Sequence, residues 1–397
     1  MGVLGTYWMK RIFVFLLFLL LAAAALFFFR PSQAADSTYA SLESLLVDDG
    51  QVPDSFARAL VPGLVEFPRD LGPHEDYQTE WWYYTGVLEA ENGSQFGYQF
   101  TIFRRALSPP PLPLPDNSSA WRSNQVYLAH FTISDIAAGK FYFAERFSRE
   151  AGGLAGAQAD PYQIWLEDWV IEQVAPQQVR LQAQTDEVSL DLILQETLPP
   201  VLHGDGGLSQ KGPEPGNASY YYSIIRQETG GTITVEDETL DVTGLSWKDH
   251  EYSTSGLSSG SSGWDWFSLQ FDDGSALMLF QIRRDDGTLQ PASSGSLIQA
   301  DGSVQHLDLE QWQLEVLDYW TSPSSGGRYP AGWRLQIPEV DLVLEGRPLM
   351  ANQELNVSST YWEGAVAFDG TRGGEPIKAQ GYVEMTGYAG SLVENDQ

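Results

Sequence analysis

The fold class predicted by this sequence is all-β: antiparallel barrels or sandwiches following an N-terminal membrane-targeting segment. Three observations predict it. Apolar residues alternate with period two along most of the chain, Asp-Gly turns separate the alternating runs, and one unbroken apolar run lies near the start.

The apolar run covers residues 12–29. Lys10 and Arg11 precede it, Arg30 and Pro31 end it, and the small residues Ser32, Ala34 and Ala35 follow. A basic flank, an apolar stretch and a small-x-small site make residues 1–35 a signal peptide or a membrane anchor. Cleavage after Ala34 would release a soluble protein, and retention would leave one tethering helix. In both cases Lys10 and Arg11 stay cytoplasmic and the body is exported, to the periplasm or facing it from the membrane. A linker over residues 36–66 follows, with weak helical patterning at 37–46 and 54–61.

Strands come next. Phe96, Tyr98, Phe100 and Ile102 alternate with Gln95, Gly97, Gln99 and Thr101. The same pattern marks Val126 to Ile133, Val188 to Leu194, Phe267 to Phe271, Met278 to Ile282, Trp312 to Val316, Trp333 to Ile337 and Val340 to Leu344. Such runs read as half-buried strands, and Asp272-Asp273-Gly274, Asp285-Asp286-Gly287 and Asp301-Gly302 as hairpin turns. Three longer connections interrupt them. Residues 109–115 are proline-rich and cannot pair in a sheet. Residues 202–217 are rich in Gly and Pro. Residues 253–263, the Gly- and Ser-rich stretch between two aromatic and acidic clusters, read as either a connector or a mobile lid.

Composition narrows the function. With 22 basic against 53 acidic residues the formal charge is −31. Such a surface repels phosphate backbones and anionic lipid, so nucleic acid is excluded and membrane contact is confined to the N-terminal segment. The paired acids before Gly274 and Gly287 fit turns better than calcium loops, because no EF-hand spacing follows. There is no cysteine, so neither disulfides nor thiolate metal sites stabilise the chain. A core must do so, and the length suggests two domains. Its 13 Trp, 18 Tyr and 19 Phe supply both core and cavity lining.

Three stretches carry a family likeness. The first is His74-Glu75-Asp76-Tyr77-Gln78-Thr79-Glu80-Trp81-Trp82-Tyr83-Tyr84. The second is Trp247-Lys248-Asp249-His250-Glu251-Tyr252 with Gly263-Trp264-Asp265-Trp266. The third is Tyr361-Trp362-Glu363-Gly364 with Gly381-Tyr382-Val383-Glu384. Together the chain resembles the family of AttH-like exported proteins and carotenoid 1,2-hydratases (hydroxyneurosporene synthases). The resemblance implies two lipocalin-like β-barrels in tandem, with a first domain over 67–248 and a second over 249–392.

The resemblance also implies a chemistry: water added to a terminal isoprenoid double bond without a cofactor. An acid protonates the alkene, a base delivers water, and aromatic faces stabilise the cation between them. The hydratase pattern pairs a His-x-Trp with a Tyr-x-Asp. Here these positions read His250-Glu251-Tyr252 and Phe280-Gln281-Ile282, so the second carboxylate is absent. The proton donor would then be Asp249, Glu251 or Asp265, grouped with His250 as candidate catalytic residues. Candidate ligand-binding residues are Glu80, Trp82, Tyr84, Tyr252, Trp264, Trp266, Tyr361 and Glu363. Strand alternation places Glu80 on one face with Trp82 and Tyr84, where a buried carboxylate needs Arg104 or Arg105.

Other histidines carry less. His74 reads as a turn or cap, His130 as a core residue, and His203 and His306 as loop or exposed positions. No compact ligand spacing suggests a metal, no G-x-S-x-G elbow a serine hydrolase, and no glycine-rich loop a phosphate. The expected function is binding of an apolar lipid- or isoprenoid-like ligand in the envelope, in company with an ABC transporter. The alternative is a cofactor-independent hydratase or hydrolase acting on such a ligand.

Overall fold

The structure, a computed structural model, describes residues 56–109 and 123–390. The leader, the weak helical pattern at 37–46 and nearly all of the proline-rich stretch lie outside the described residues. Residues 56–61 contain no helix; the Ala57 N–H is taken by the Asp76 carbonyl, and the Val61 backbone by the Tyr220 hydroxyl. Among the described residues, helix is limited to four single 3₁₀ turns, and no helix is long and apolar enough to cross a membrane.

The expected tandem of lipocalin-like barrels is present, one sheet nearly closed and the other a half-barrel. The first sheet has thirteen antiparallel strands and contains Thr79–Ala90, Gln95–Ala106, Gln125–Asp135, Ala218–Val235 and Glu238–Ser253. The second has ten, among them Ser261–Phe271, Ala276–Arg284, Ser294–Ile298, Thr360–Arg372 and Glu375–Met385. Asp249 to Tyr252 therefore sit on the last strand of the first sheet, and the connection at 254–260 leads into the second.

The alternation seen in sequence is correct but describes only half of the burial. Phe96, Tyr98, Phe100 and Ile102 fill the first barrel with Trp169 and Leu192. The opposite face of that strand, Gln99, Thr101 and Phe103, is also buried, because the second sheet packs against it. Phe267, Leu269, Trp333, Leu344, Trp362 and Phe368 fill the second barrel. A separate cluster joins the two: Tyr83, Tyr221 and Trp247 from the first sheet meet Trp266, Phe280 and Tyr382 from the second. Turns fall where Asp-Gly pairs predict them, with Gly274 at φ +87° and Gly302 at φ +84°, a region that glycine enters without a Cβ penalty.

Candidate active site in the cleft between the barrels

Period-two geometry divides the candidate residues between two places. In the strand Glu238–Ser253, Lys248, His250 and Tyr252 point into the first barrel, while Asp249 and Glu251 point toward the second sheet. In its neighbour Thr79–Ala90, Glu80, Trp82 and Tyr84 point inward while Trp81 and Tyr83 face the cleft.

The inward group is a closed ion network. Glu80 Oε1 accepts from both His250 Nε2 and His74 Nδ1, each at 2.8 Å. Its Oε2 accepts from Arg104 Nε and the His74 backbone N–H, each at 2.9 Å. Arg104, not Arg105, is thus the partner that the buried carboxylate needs. Burial works against ionised Glu80, but Arg104 and His74 outweigh it and hold the carboxyl well below its usual range. His74 lies between two carboxylates, with its Nε2 3.2 Å from Asp70 Oδ1. Neither acceptor can donate, so both ring nitrogens carry protons. Burial lowers its pKa, yet the Glu80 and Asp70 charges raise it above the ordinary value. Burial lowers His250 to about 4, so it is neutral. Its Nδ1 accepts from the Tyr222 hydroxyl at 2.7 Å.

This network anchors the segment before Thr79 to the barrel. His250, Glu80, Trp82, Tyr84 and Tyr252 do not line the cleft cavity. Among the described residues, His74, Glu80 and His250 are the group whose ligand atoms converge closely enough, within 4.8 Å, to hold a metal ion. Protons and Arg104 already occupy every direction around that carboxylate.

The cleft cavity encloses about 130 Å³, less than the roughly 300–1,000 Å³ of typical ligand sites. It has room for a short segment of a small molecule. Trp81, Tyr83, Phe103, Trp264, Trp266 and Tyr361 give it aromatic walls, and Phe280 and Ile282 complete them. Asp249, Glu251 and Glu384 are its carboxyls, and Lys211 its cation. Ser255, Gly256 and Leu257, from the Gly- and Ser-rich connection, cover one side.

Each carboxyl is held differently. Asp249 Oδ2 accepts from Tyr221 OH at 2.6 Å, and Oδ1 accepts from Trp247 Nε1 at 2.6 Å and from Ser223 Oγ. Burial nevertheless pushes it up to about 7, against these three bonds. Burial also pushes Glu384 up to about 8, and the Asp249 and Glu251 charges add to the effect. Glu251 accepts from Ser219 and pairs with Lys211 Nζ at 3.1 Å. Glu363 lies just behind the wall, where its Oε1 accepts from Tyr83 OH at 2.5 Å. Burial and neighbouring Glu384 push Glu363 well above the usual carboxylate range.

Of the three proton donors considered from sequence, Asp249 and Glu251 reach the cavity and Asp265 does not. Asp265 turns into the second barrel, where it accepts from Gln281 at 2.6 Å and Tyr388 at 3.2 Å. Phe280 and Ile282, which stand where the hydratase pattern has its phenol and carboxylate, both face the cavity. The carboxyls of Asp249, Glu251 and Glu384 reach the same cavity from other strands. Trp264, Trp266 and Tyr361 line the cavity as expected.

Sequence reasoning missed Glu384, Lys211, Trp81, Tyr83 and His203. Glu384 was detectable, since it alternates with Val383 and Met385. Lys211 and His203 come from the 202–217 connection and carried no periodic signal. His203 is fully buried, not exposed, because that connection folds between the sheets, where Ser223 and Ser296 satisfy both ring nitrogens.

A larger and more open groove of about 830 Å³ runs between the sheets around Glu89, Asp241, Asp369 and Lys378. Its acids are exposed and Phe271 and Phe368 are its aromatic lining, so the smaller, aromatic-walled cavity with buried carboxyls is the better chemical site.

Comparison with known proteins agrees with this architecture. A solved structure from Nitrosomonas europaea, designated AttH (NE1406), is 36% identical with a TM-score of 0.74, over 83% of this chain and 98% of that one. Kievitone hydratase from Nectria haematococca shares the fold at 16% identity and TM-score 0.62, over 87% of this chain and 96% of that one. Two curated relatives are 25% identical: dehydratase asqC of Emericella nidulans over 219 residues, and kievitone hydratase of Fusarium solani subsp. phaseoli over 215. Each match covers 52% of this chain, and it spans 60% and 59% of the two relatives respectively. The AttH-like family matches residues 58–388, nearly the whole described body, and the chain belongs to that family.

Proposed function

We propose that this protein is a cofactor-independent hydro-lyase, which adds water to or removes it from a short apolar, isoprenoid- or lipid-like segment held between the barrels. One observation carries the reading. Carboxyls raised toward neutrality, Asp249 and Glu384, stand on an aromatic-walled cavity. A purely binding cavity for an apolar molecule has no use for buried acids, whereas proton transfer to an alkene or a leaving hydroxyl requires one. Relatives named dehydratase and hydratase, names that denote loss and gain of water, favour it too.

In this scheme Asp249 delivers its proton to the alkene carbon. The faces of Trp81, Trp264 and Trp266 are positioned to stabilise the positive charge. Glu251, held by Ser219 and Lys211, takes a proton from the attacking water. Dehydration runs the same steps backward. The apolar leader at 12–29 argues for work outside the cytoplasmic membrane, where an ABC transporter is a natural partner for an apolar substrate.

The test is incubation of the protein with a panel of terminal isoprenoid alkenes and the matching tertiary alcohols in ¹⁸O-labelled water. Incorporation of label, lost in Asp249→Asn, supports the reading. Ligands that bind without incorporating label would leave a carrier and not an enzyme.

A further inference from the structure

A buried acid that gives up a proton has to regain one. Asp249 is 4% exposed, and its own cavity would be filled by substrate during turnover. The structure offers another way in. Ser223 Oγ donates to Asp249 Oδ1. His203 Nε2 lies 2.6 Å from Ser223 Oγ, and His203 Nδ1 lies 2.9 Å from Ser296 Oγ. These four residues are essentially buried throughout, and the chain crosses from the first sheet to the second. Ser296 is the cross-strand partner of His306, whose side chain is 40% exposed.

We propose that Ser223, His203 and Ser296 form a proton path that recharges Asp249 from the surface beside His306. The proposal rests on the hydro-lyase reading. Ser223 is already spent as donor to Asp249, so the proton on the His203–Ser223 contact belongs to His203 Nε2. His203 Nδ1 then accepts from Ser296. This is the orientation that feeds protons toward Asp249.

The transfer balances atom by atom. The Asp249 carboxylate takes the Ser223 hydroxyl proton, and Ser223 Oγ takes the proton from His203 Nε2. His203 Nδ1 takes the Ser296 hydroxyl proton, and Ser296 Oγ takes one from solvent at His306. One proton enters, one arrives, and His203 changes tautomer without ever becoming an imidazolium. That suits its surroundings: burial, together with the charges of Lys211 and His306, disfavours a protonated ring. Glu251 and Glu384 are the other charged groups near Asp249, and neither touches the path.

His203 and Ser296 are therefore positioning residues, which act on substrate only through Asp249. The test follows the Asp249 carboxyl band by infrared after a rapid drop in pH, the band being assigned by its loss in Asp249→Asn. His203→Phe and Ser296→Ala should each slow reprotonation about tenfold or more, while the final extent of protonation stays near that of wild type. Rates equal to wild type in both variants would overturn the path. If His203→Phe fails to fold, Ser296→Ala, which removes a single oxygen, decides alone. The band reports a carboxyl and not turnover, so a slowed band with no ¹⁸O incorporation would sink the enzyme reading and leave the path standing.

Discussion

Tyr83 donates a 2.5 Å hydrogen bond to Glu363, 280 positions away, and so ties a strand of the first barrel to one of the second. His130 reinforces the seam, with Nδ1 2.7 Å from Tyr361 OH and Nε2 3.0 Å from Glu145. Ser134 donates to Gln353 at 2.7 Å further along it. The cleft is thus walled by a polar seam made of both sheets, and the cavity exists only where the two barrels dock.

The two sides of that bond should respond unequally. Tyr83→Phe removes the donor and leaves a buried acceptor unpaired, which should cost about 1–2 kcal/mol in urea unfolding. Glu363→Gln replaces a carboxyl whose ionised form burial disfavours with a neutral amide of like shape. Its stability should stay within about 1 kcal/mol of wild type. A larger loss in Glu363→Gln would mean that Glu363 is ionised in the folded protein.

Asp249→Asn should lower water addition by about 10²–10⁴-fold, the range for loss of a general acid, with little change in ligand affinity. Asp265→Asn should leave turnover within a few-fold of wild type, since Asp265 faces the second barrel. Steady-state rates with any substrate that incorporates label check both.

The same carboxyls add a pH-dependent contribution to stability, opposed between pH 5 and the unfolded value of 6.5 by His203 and His250, which burial keeps neutral in the folded protein. Asp249 and Glu384 have folded values of about 7 and 8, above the unfolded values of 3.8 and 4.5. A raised carboxyl contributes stability that is complete below its unfolded pKa and is lost as pH climbs to its folded pKa. These two groups therefore favour folding at pH 5 over pH 8, by an amount on the order of a few kcal/mol. Glu80, held low by Arg104 and His74, acts oppositely and only below its unfolded value of 4.5. Melting temperatures between pH 5 and 8 should fall less in the double variant Asp249→Asn, Glu384→Gln than in wild type. An unchanged slope would contradict the raised values.

How far the sequence could go is visible in the strand Glu238–Ser253. The family motif Trp247–Tyr252 marked it and put Asp249, His250 and Glu251 side by side, while alternation did not single it out as a strand. The motif could not say that both faces of the strand are buried, since that depends on a second sheet encoded more than ten residues later. Adjacent residues were therefore grouped as one site, although period two sends them to opposite faces. The barrel pair and most of the aromatic wall were legible because they follow from local alternation and from the family motifs. Lys211 and His203 were not. They sit in an irregular connection whose path is set by what it packs against.

His250→Ala should behave as a core mutation. It removes a fully buried ring and one donor to Glu80, leaving Arg104 and His74 to hold that carboxylate. The loss should be roughly 2–4 kcal/mol of unfolding free energy. Ligand affinity at the cleft should change by less than about threefold, since His250 points away from the cavity. A large affinity loss in a well-folded variant would show that the two faces of the strand are coupled.

The connection at 254–260, shorter than the 253–263 stretch read from sequence because both ends belong to strands, supplies the last prediction. Ser255, Gly256 and Leu257 cover one side of the cavity, and Leu257 packs against the apolar cluster that joins the barrels. Single bonds to several neighbours pin the segment: Thr254 donates to the Ala57 carbonyl and accepts from the Gln78 N–H at 3.2 Å, Ser255 donates to the Ala218 carbonyl at 3.4 Å, and the Asp285 N–H donates to the Gly260 carbonyl at 3.0 Å. Asn217 Nδ2 donates to Ser258 Oγ at 2.7 Å, and Ser261 N–H donates to the Ser258 carbonyl at 3.1 Å. Gly260, at φ +79°, provides a backbone position that side-chain-bearing residues rarely adopt. A segment outside the strand ladders, held by isolated bonds, opens at a lower free energy than the strands on either side. Its amides should exchange faster than those of Glu238–Ser253 and Ser261–Phe271, and ligand in the cavity should slow them selectively. Replacing Leu257 with Ser removes the apolar contact that closes the segment over the cavity. Exchange at 254–260 should then rise and ligand protection should weaken, with the flanking strands unchanged. Equal protection of the segment and its flanking strands in the ligand-free protein would mean that it is a fixed wall and not a lid.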